Sequence, residues 1–303
     1  MLYLYTENFF LGGRLKNFIK KILNRKNRGP RSVFESLTRG FKELGINYRV
    51  DSNPVGKDIM ACVLSGVKTL NWVIGQKRTS KIKKIMAGPN LVVTPFDSNN
   101  LMQSPEIDII ILPSQWIKDW WTSLVPVLEK KIQVWPAGVK ELGFSTNRLG
   151  GVLIYQKNAP ASLLNLVLNI LKEKGRPVEV IRYGRYRQKE YYAKLAISEF
   201  MVYLSESESQ GLALQEAWSA NLPTLVWNRG FMEYENYTWQ SDKISAPYLS
   251  SSCGMFFKGQ EDFSQKLNEF LQKKPFFQPA VYIKNNLSDK ICAQKFVSIA
   301  QPK

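Results

Sequence analysis

The chain has 303 residues, a formal charge of +17, 44% hydrophobic and 12% aromatic residues, which excludes disorder and leaves room for two modest cores. It contains no histidine. That excludes Ser-His-Asp and Cys-His triads, histidine-ligated zinc or iron and any imidazole base, so chemistry falls to carboxylates, Lys/Arg, hydroxyls, backbone amides or a cofactor.

In chain order, the first half predicts a strand at 2–6, a helix from Ser32 to Leu44 ended by Gly45, and a strand at 46–50. Strands are expected near 59–64, 71–74, 90–94 and 108–112, then a helix from Gln115 to Glu129 and a strand at 132–136. The second half predicts strands at 151–155, 178–183, 200–204 and 223–227, separated by helices at 161–174, 189–197 and 211–220. Val/Ile/Leu-rich strands alternating with helices give right-handed βαβ units and parallel sheets covered on both faces. The pattern restarts after the Gly/Ser/Asn stretch 143–151. The expected fold is therefore α/β: a Rossmann-like doubly wound domain at 1–142, a linker at 143–151 and a second such domain at 152–303, with ligand in the cleft between them.

Charge is uneven. Residues 1–150 hold 23 basic and 11 acidic side chains, against 19 and 14 in residues 151–303. Much of the excess lies in two runs, 14–31 and 77–84. In the first, Leu15, Phe18, Ile19, Ile22 and Leu23 form one apolar stripe on a helix, with Lys16, Lys20 and Lys21 on the other side. A basic amphipathic helix suits a membrane surface or an anionic acceptor; the same pattern also suits a domain helix with solvated lysines. Nucleic acid is not expected, because the runs lack interleaved aromatics and no nucleic-acid-binding signature is present. Cys62, Cys253 and Cys292 lie far apart and outside C-x-x-C spacing, which reads as reduced core thiols. The opening MLYLYTENFF carries Glu7 and no basic leader, and no apolar run reaches 18 residues. A cytoplasmic protein is expected, soluble or at the inner face of a membrane.

The segment richest in chemistry is YLSESESQGLALQEAWSANLPTLVW, residues 203–227. Glu208 and Glu216 are separated by seven residues, a spacing repeated at Glu35/Glu43 and Glu261/Glu269 within helical patterns. The 208/216 pair differs in context: it follows a buried strand, crosses a Ser-rich turn and Gly211, and ends inside an apolar helix. A helix N-terminus with a glycine suits a diphosphate. Glu208 can accept hydrogen bonds from sugar hydroxyls, and Glu216 from vicinal hydroxyls such as those of a ribose. The plain alternative is a helix capped by Ser209 with Glu216 exposed.

This segment resembles the GT-B glycosyltransferases, family 4 in particular, through Glu208, Gly211, Leu212, Glu216, Ala217 and Pro223. A second resemblance is SQWIKDWW (114–121) followed by IQVWPAGVKELGF (132–144), similar to the end of that family's first domain. A looser one is the glycine loop Arg28-Gly29-Pro30, where the family has a Gly-Gly turn beside the donor phosphate. The resemblance implies a retaining, metal-independent glycosyltransferase that moves a sugar from a UDP- or GDP-linked donor to a saccharide or lipid-linked anionic acceptor in glycan or cell-envelope biosynthesis. It implies that Glu208, the catalytic candidate, binds the transferred sugar. Gly211 and Leu212 would offer amides to the diphosphate, Ser209 and Gln210 would belong to the donor-binding turn, Glu216 would bind the ribose, Lys157 would meet the diphosphate charge, and Tyr183-Gly184 would lie at the base. Gly29 would approach the phosphate from the first domain.

Three departures from the family's pattern stand out: no first-domain histidine, no arginine beside Lys157, and Pro136-Ala137-Gly138-Val139-Lys140 where the family ends in aspartate. Arg182 or Arg185 is the candidate for the missing charge. No Asp-x-Asp occurs, so no metal is expected at the phosphates. The same residues would also serve a catalytically silent protein that binds a nucleotide-sugar or glycan.

Overall fold

The computed structural model describes residues 1–10, 28–143, 148 and 150–301. It divides into two compact units, Met1–Gly138 with Asp289–Lys303, and Val139–Ser288.

The first unit is a six-stranded parallel sheet of β1 (Leu2–Tyr5), β2 (Tyr48–Val50), β3 (Met60–Ser65), β4 (Lys84–Asn90), β5 (Ile109–Leu112) and β6 (Ile132–Val134), in the order β2-β1-β3-β4-β5-β6. Its helices are α1 (Arg28–Leu44), α2 (Val67–Arg78) and α3 (Gln115–Leu124). β1 and β3 are buried along their whole length, as expected of strands covered on both faces. Two expected strands are corrected. Residues 71–74 lie within α2, because Thr69, Leu70, Val73 and Ile74 form one buried helical face. The strand placed at 90–94 lies instead at Lys84–Asn90, and Val93, Thr94 and Asp97 form a turn in which the Asp97 carboxylate accepts both backbone amides.

The second unit holds a five-stranded parallel sheet of β7 (Gly151–Gln156), β8 (Val178–Arg182), β9 (Ser198–Leu204), β10 (Thr224–Trp227) and β13 (Gly254–Phe257), ordered β13-β10-β9-β7-β8. An antiparallel hairpin, β11 (Phe231–Tyr234) and β12 (Tyr237–Gln240), branches from it. The helices are α4 (Ala161–Glu173), α5 (Gln188–Ile197), α6 (Leu212–Ser219), α7 (Phe263–Lys273) and α8 (Pro279–Asn286). Side chains alternate across this sheet. Val152, Ile154, Phe200, Val202 and Leu204 meet Leu163, Val167, Leu171, Phe263, Leu267 and Phe270 of α4 and α7 in one core. Tyr155 and Tyr203 point the other way, and Tyr191 of α5 packs against Tyr155.

The last helix, α9 (Asp289–Ala300), belongs to the first unit, whereas the expected division assigned 152–303 to the second domain. The cause is a close fit to α1. Gly40 leaves room for the Asp289 backbone, which a Cβ would meet at 2.2 Å, and Arg39 forms a 2.6 Å ion pair with the Asp289 carboxylate. Trp135 Nε1 donates to the Cys292 carbonyl at 2.8 Å, and Phe296 packs on Trp135 and Phe41. Within the expected linker, Arg148 donates to the carbonyls of Ser198, Ala220 and Asn221, tying the approach to β7 onto its own unit.

Candidate functional site

Both sheets carry the strand order in which the chain's first two strands lie to one side and its later strands to the other. The direction of winding reverses between β1 and β3 in the first unit and between β7 and β9 in the second. Ligands of doubly wound sheets bind outside the carboxyl ends of strands at this point. In the second unit Lys157 follows β7, and Ser205–Glu208 follow β9.

There the Glu208 carboxylate is collected by three donors. Its Oε1 accepts from Tyr203 Oη at 2.6 Å, Ser205 Oγ at 3.0 Å and Lys157 Nζ at 3.0 Å. Glu208 is only 8% exposed, and its amide donates to the Ile244 carbonyl at 2.8 Å. Lys157 also lies over the Tyr183 ring, 5.1 Å from its centre, so one ammonium joins the carboxylate to an aromatic ring that is 52% exposed. Burial, together with the Glu208 charge, holds the Tyr203 phenol far above its ordinary range, so it remains a neutral donor. The Tyr203 ring stacks on Tyr155 at 4.9 Å, a pair set by sheet register, and Tyr155 Oη meets Tyr186 Oη at 2.9 Å.

Gly211 is the N-cap of α6 with φ +82, a left-handed backbone that glycine adopts freely. Leu212 opens the helix and is partly exposed. One turn in, Glu216 Oε1 accepts from Gln188 Nε2 at 2.8 Å and Tyr192 Oη at 2.9 Å, both from α5. The two other E-x7-E pairs lack this surrounding. Glu35 forms an exposed ion pair with Arg31, Glu269 is shared by Lys266 and Lys273, and Glu43 and Glu261 are exposed.

The structure therefore brings Lys157, Tyr183 and Glu208 together, with Glu216 supported from α5. Gly184, at φ +77, and Ser209 are exposed beside them. Gln210 is buried and donates to Gln215 Oε1 at 3.0 Å, so its side chain braces the turn. Gly29 is corrected: it lies in the first turn of α1 rather than in a loop ahead of a helix at Ser32, with open space where a Cβ would stand. Proline one residue later fits a first helical turn, where its missing N–H costs nothing. Lys16, Phe18, Lys20, Lys21 and Ile22 lie outside the described residues.

In the second basic run three of the five cations are paired. Lys77 pairs with Asp108, Arg78 with Glu106 and Lys83 with Asp58, each at 2.6 Å. Among the described residues there is no group of three or more metal-ligating side chains and no helix long and apolar enough to cross a membrane. Tyr203, Ser205, Gln188 and Tyr192 were not singled out from sequence. The available signals were a tyrosine near the carboxyl end of both β7 and β9 and a Gln-x3-Tyr spacing on the helix between them.

This architecture is that of the GT-B glycosyltransferases: two Rossmann-like domains, one parallel sheet in each. Among solved structures the chain is similar to the apo form of WaaB, a lipopolysaccharide outer core galactosyltransferase, with TM-score 0.61, 10% identity and 98% of both chains covered. WaaG, a glycosyltransferase involved in lipopolysaccharide biosynthesis, gives TM-score 0.54, 10% identity and 100% coverage of both chains. The pneumococcal O-GlcNAc transferase GtfA, in complex with UDP and GlcNAc, gives 0.51 and 14%, covering 89% of this chain and 60% of that one. No protein-family model and no curated protein sequence matches the chain.

Proposed function

We propose that the protein is a retaining, metal-independent glycosyltransferase of the family 4 type, using a UDP- or GDP-linked sugar. The observation that carries this is the Lys157–Glu208 pair at the carboxyl edge of the second sheet, with Glu216 one helical turn beyond Gly211.

In this reading Glu208 binds hydroxyls of the transferred sugar, and Lys157 with the amides of Gly211 and Leu212 receives the diphosphate. Glu216 takes the ribose hydroxyls, and Tyr183-Gly184 flank the base. Arg182, the last residue of β8, and Arg185, on the loop after it, are both exposed and supply further positive charge. The glycosidic bond to the diphosphate breaks while the acceptor oxygen forms its bond on the same face. The leaving diphosphate takes the acceptor proton. Such a step asks the protein to position two reactants and to stabilise charge on the leaving group, and it needs no histidine.

The acceptor is a saccharide or lipid-linked anionic glycan, met at the cytoplasmic face of a membrane through the basic run at 14–31. Activity across a panel of UDP- and GDP-sugars tests the assignment, with donor hydrolysis as the minimal readout. Glu216→Ala is expected to weaken donor binding about tenfold or more, the loss of charge-assisted hydrogen bonds. Full donor affinity in that variant would reject the assignment. Nucleotide binding without turnover on a broad acceptor panel would leave a silent binding protein. Flotation with anionic vesicles, compared with Phe18→Glu/Ile22→Glu, tests the membrane contact.

A further inference from the structure

Helix α5 precedes the Glu208–Glu216 segment and contributes nothing to the motif, yet it supplies two hydrogen bonds to one carboxylate oxygen. Gln188 and Tyr192 stand four residues apart, on one face of the helix, and both donate to Glu216 Oε1. The helix is itself fixed to α6. Tyr191 is fully buried, its hydroxyl donates to the Ala213 carbonyl at 2.6 Å, and its ring packs against Tyr155 and Tyr186. Two donors of different length meeting on one oxygen fix that oxygen's position and the rotation of the carboxylate plane. An unsupported glutamate would otherwise sample several rotamers and lose them on binding.

We infer that Gln188 and Tyr192 are positioning residues that orient the Glu216 carboxylate toward a vicinal diol, and so set the preference for a ribonucleotide over its 2′-deoxy counterpart. This rests on the nucleotide-sugar reading. A correctly turned carboxylate accepts from both hydroxyls of a ribose; a freely rotating one gains less from the second hydroxyl, so selectivity falls along with affinity.

The test is isothermal titration of the full chain with UDP and GDP and their 2′-deoxy forms, for wild type, Tyr192→Phe, Gln188→Ala and Glu216→Ala. Circular dichroism confirms folding; Tyr192→Phe keeps the ring, and Gln188→Ala provides a second route. Each α5 variant is expected to weaken the ribonucleotide about tenfold, as for a hydrogen bond to a charged group, and to weaken the deoxynucleotide less. Where turnover is measured, KM rises and kcat is unchanged. In a Glu216→Ala background Tyr192→Phe should add nothing. Unchanged ribose selectivity in both α5 variants, or a Tyr192→Phe effect that persists without Glu216, would overturn the inference alone. Wild type binding neither UDP nor GDP would overturn the underlying reading and this inference with it.

Discussion

The two units share a strand order through five strands, and they use the same topological position differently. At the reversal between β1 and β3, hydrogen bonds among the described residues tie the strand ends to one another. Asp51 accepts from the Thr6 amide and hydroxyl, Ser65 Oγ accepts from the Glu7 amide, and Thr69 Oγ1 donates to the Thr6 carbonyl. Burial raises the Asp51 pKa against the lowering effect of those Thr6 bonds. At the equivalent reversal between β7 and β9, a lysine, a glutamate and a buried phenol converge, with an exposed tyrosine ring beside them. The same reversal of winding thus carries a Thr6–Asp51–Thr69 hydrogen-bond set in the first unit and a Lys157–Glu208–Tyr203 set in the second.

The largest effect should come from breaking that contrast directly. Glu208→Gln removes the charge while keeping the shape, and turnover should fall about 10²–10³-fold, the scale for a preorganised electrostatic group. Ser65→Ala and Thr69→Ala, at the matching position in the first unit, should change the rate about twofold or less. Steady-state kinetics on the same donor checks both. An equal loss in Ser65→Ala would erase the distinction between the two edges.

A second comparison uses glycines. Gly66 has φ +94, and a Cβ there would stand 2.7 Å from Glu7 Cα, so Gly66→Ala combines strain with a backbone clash. About 2–3 kcal/mol of stability should be lost. Gly211 has φ +82, but its nearest neighbour would be Leu214 Cδ1 at 3.4 Å. Gly211→Ala should cost about 1–2 kcal/mol, from the left-handed backbone alone. Denaturant titration ranks the two; a costlier Gly211→Ala would overturn this ranking.

Much of this was legible in sequence and some was not. The parallel sheets followed from apolar runs such as 151–155 and 200–204, and the Glu208–Glu216 segment stood out because a Ser-rich turn and a glycine separate a buried strand from a helix. What was missed depends on packing between distant segments. Tyr155 and Tyr203 become partners only through the register of β7 against β9, and Gln188 meets Glu216 across the same α5–α6 contact in which Tyr191 donates to the Ala213 carbonyl. Likewise nothing local to 289–300 says that it packs on α1; the fit of Gly40 to Asp289 is visible only in three dimensions.

Both units bury thiols, which gives a smaller, pH-dependent effect. Burial pushes Cys253 from 9.0 up to about 11 and Cys292 up to about 12, and raises Cys62 further. The unfolded chain therefore releases these protons first, near pH 9. Folded protein binds more protons than unfolded protein above that pH, so stability should fall as pH rises toward 11–12. Urea midpoints at pH 8 and 10 measure the fall, and a Cys62→Ala/Cys253→Ala/Cys292→Ala variant should flatten it. At pH 8 none of the three thiols should react with a disulfide reagent until denaturant is added.

The smallest expected effect concerns the two basic runs, which composition alone makes alike. In 77–84 three cations are matched by Asp108, Glu106 and Asp58, and Lys83 with Asp58 is an exposed pair that salt screens. Hydrogen bonding from Lys83 holds the Asp58 carboxyl below its usual range. The run at 14–31 contains no acid of its own. Lys77→Ala/Arg78→Ala/Lys83→Ala, which removes the paired cations, should then leave binding to anionic vesicles unchanged at physiological salt. Lys16→Ala/Lys20→Ala/Lys21→Ala should reduce vesicle binding, at about 1 kcal/mol per lysine near an anionic surface. Cosedimentation at two salt concentrations distinguishes them, because a cation already paired within the protein contributes little to the salt dependence. Loss of vesicle binding in the 77/78/83 variant, with the 16/20/21 variant unaffected, would reverse the assignment of the partner-facing charge.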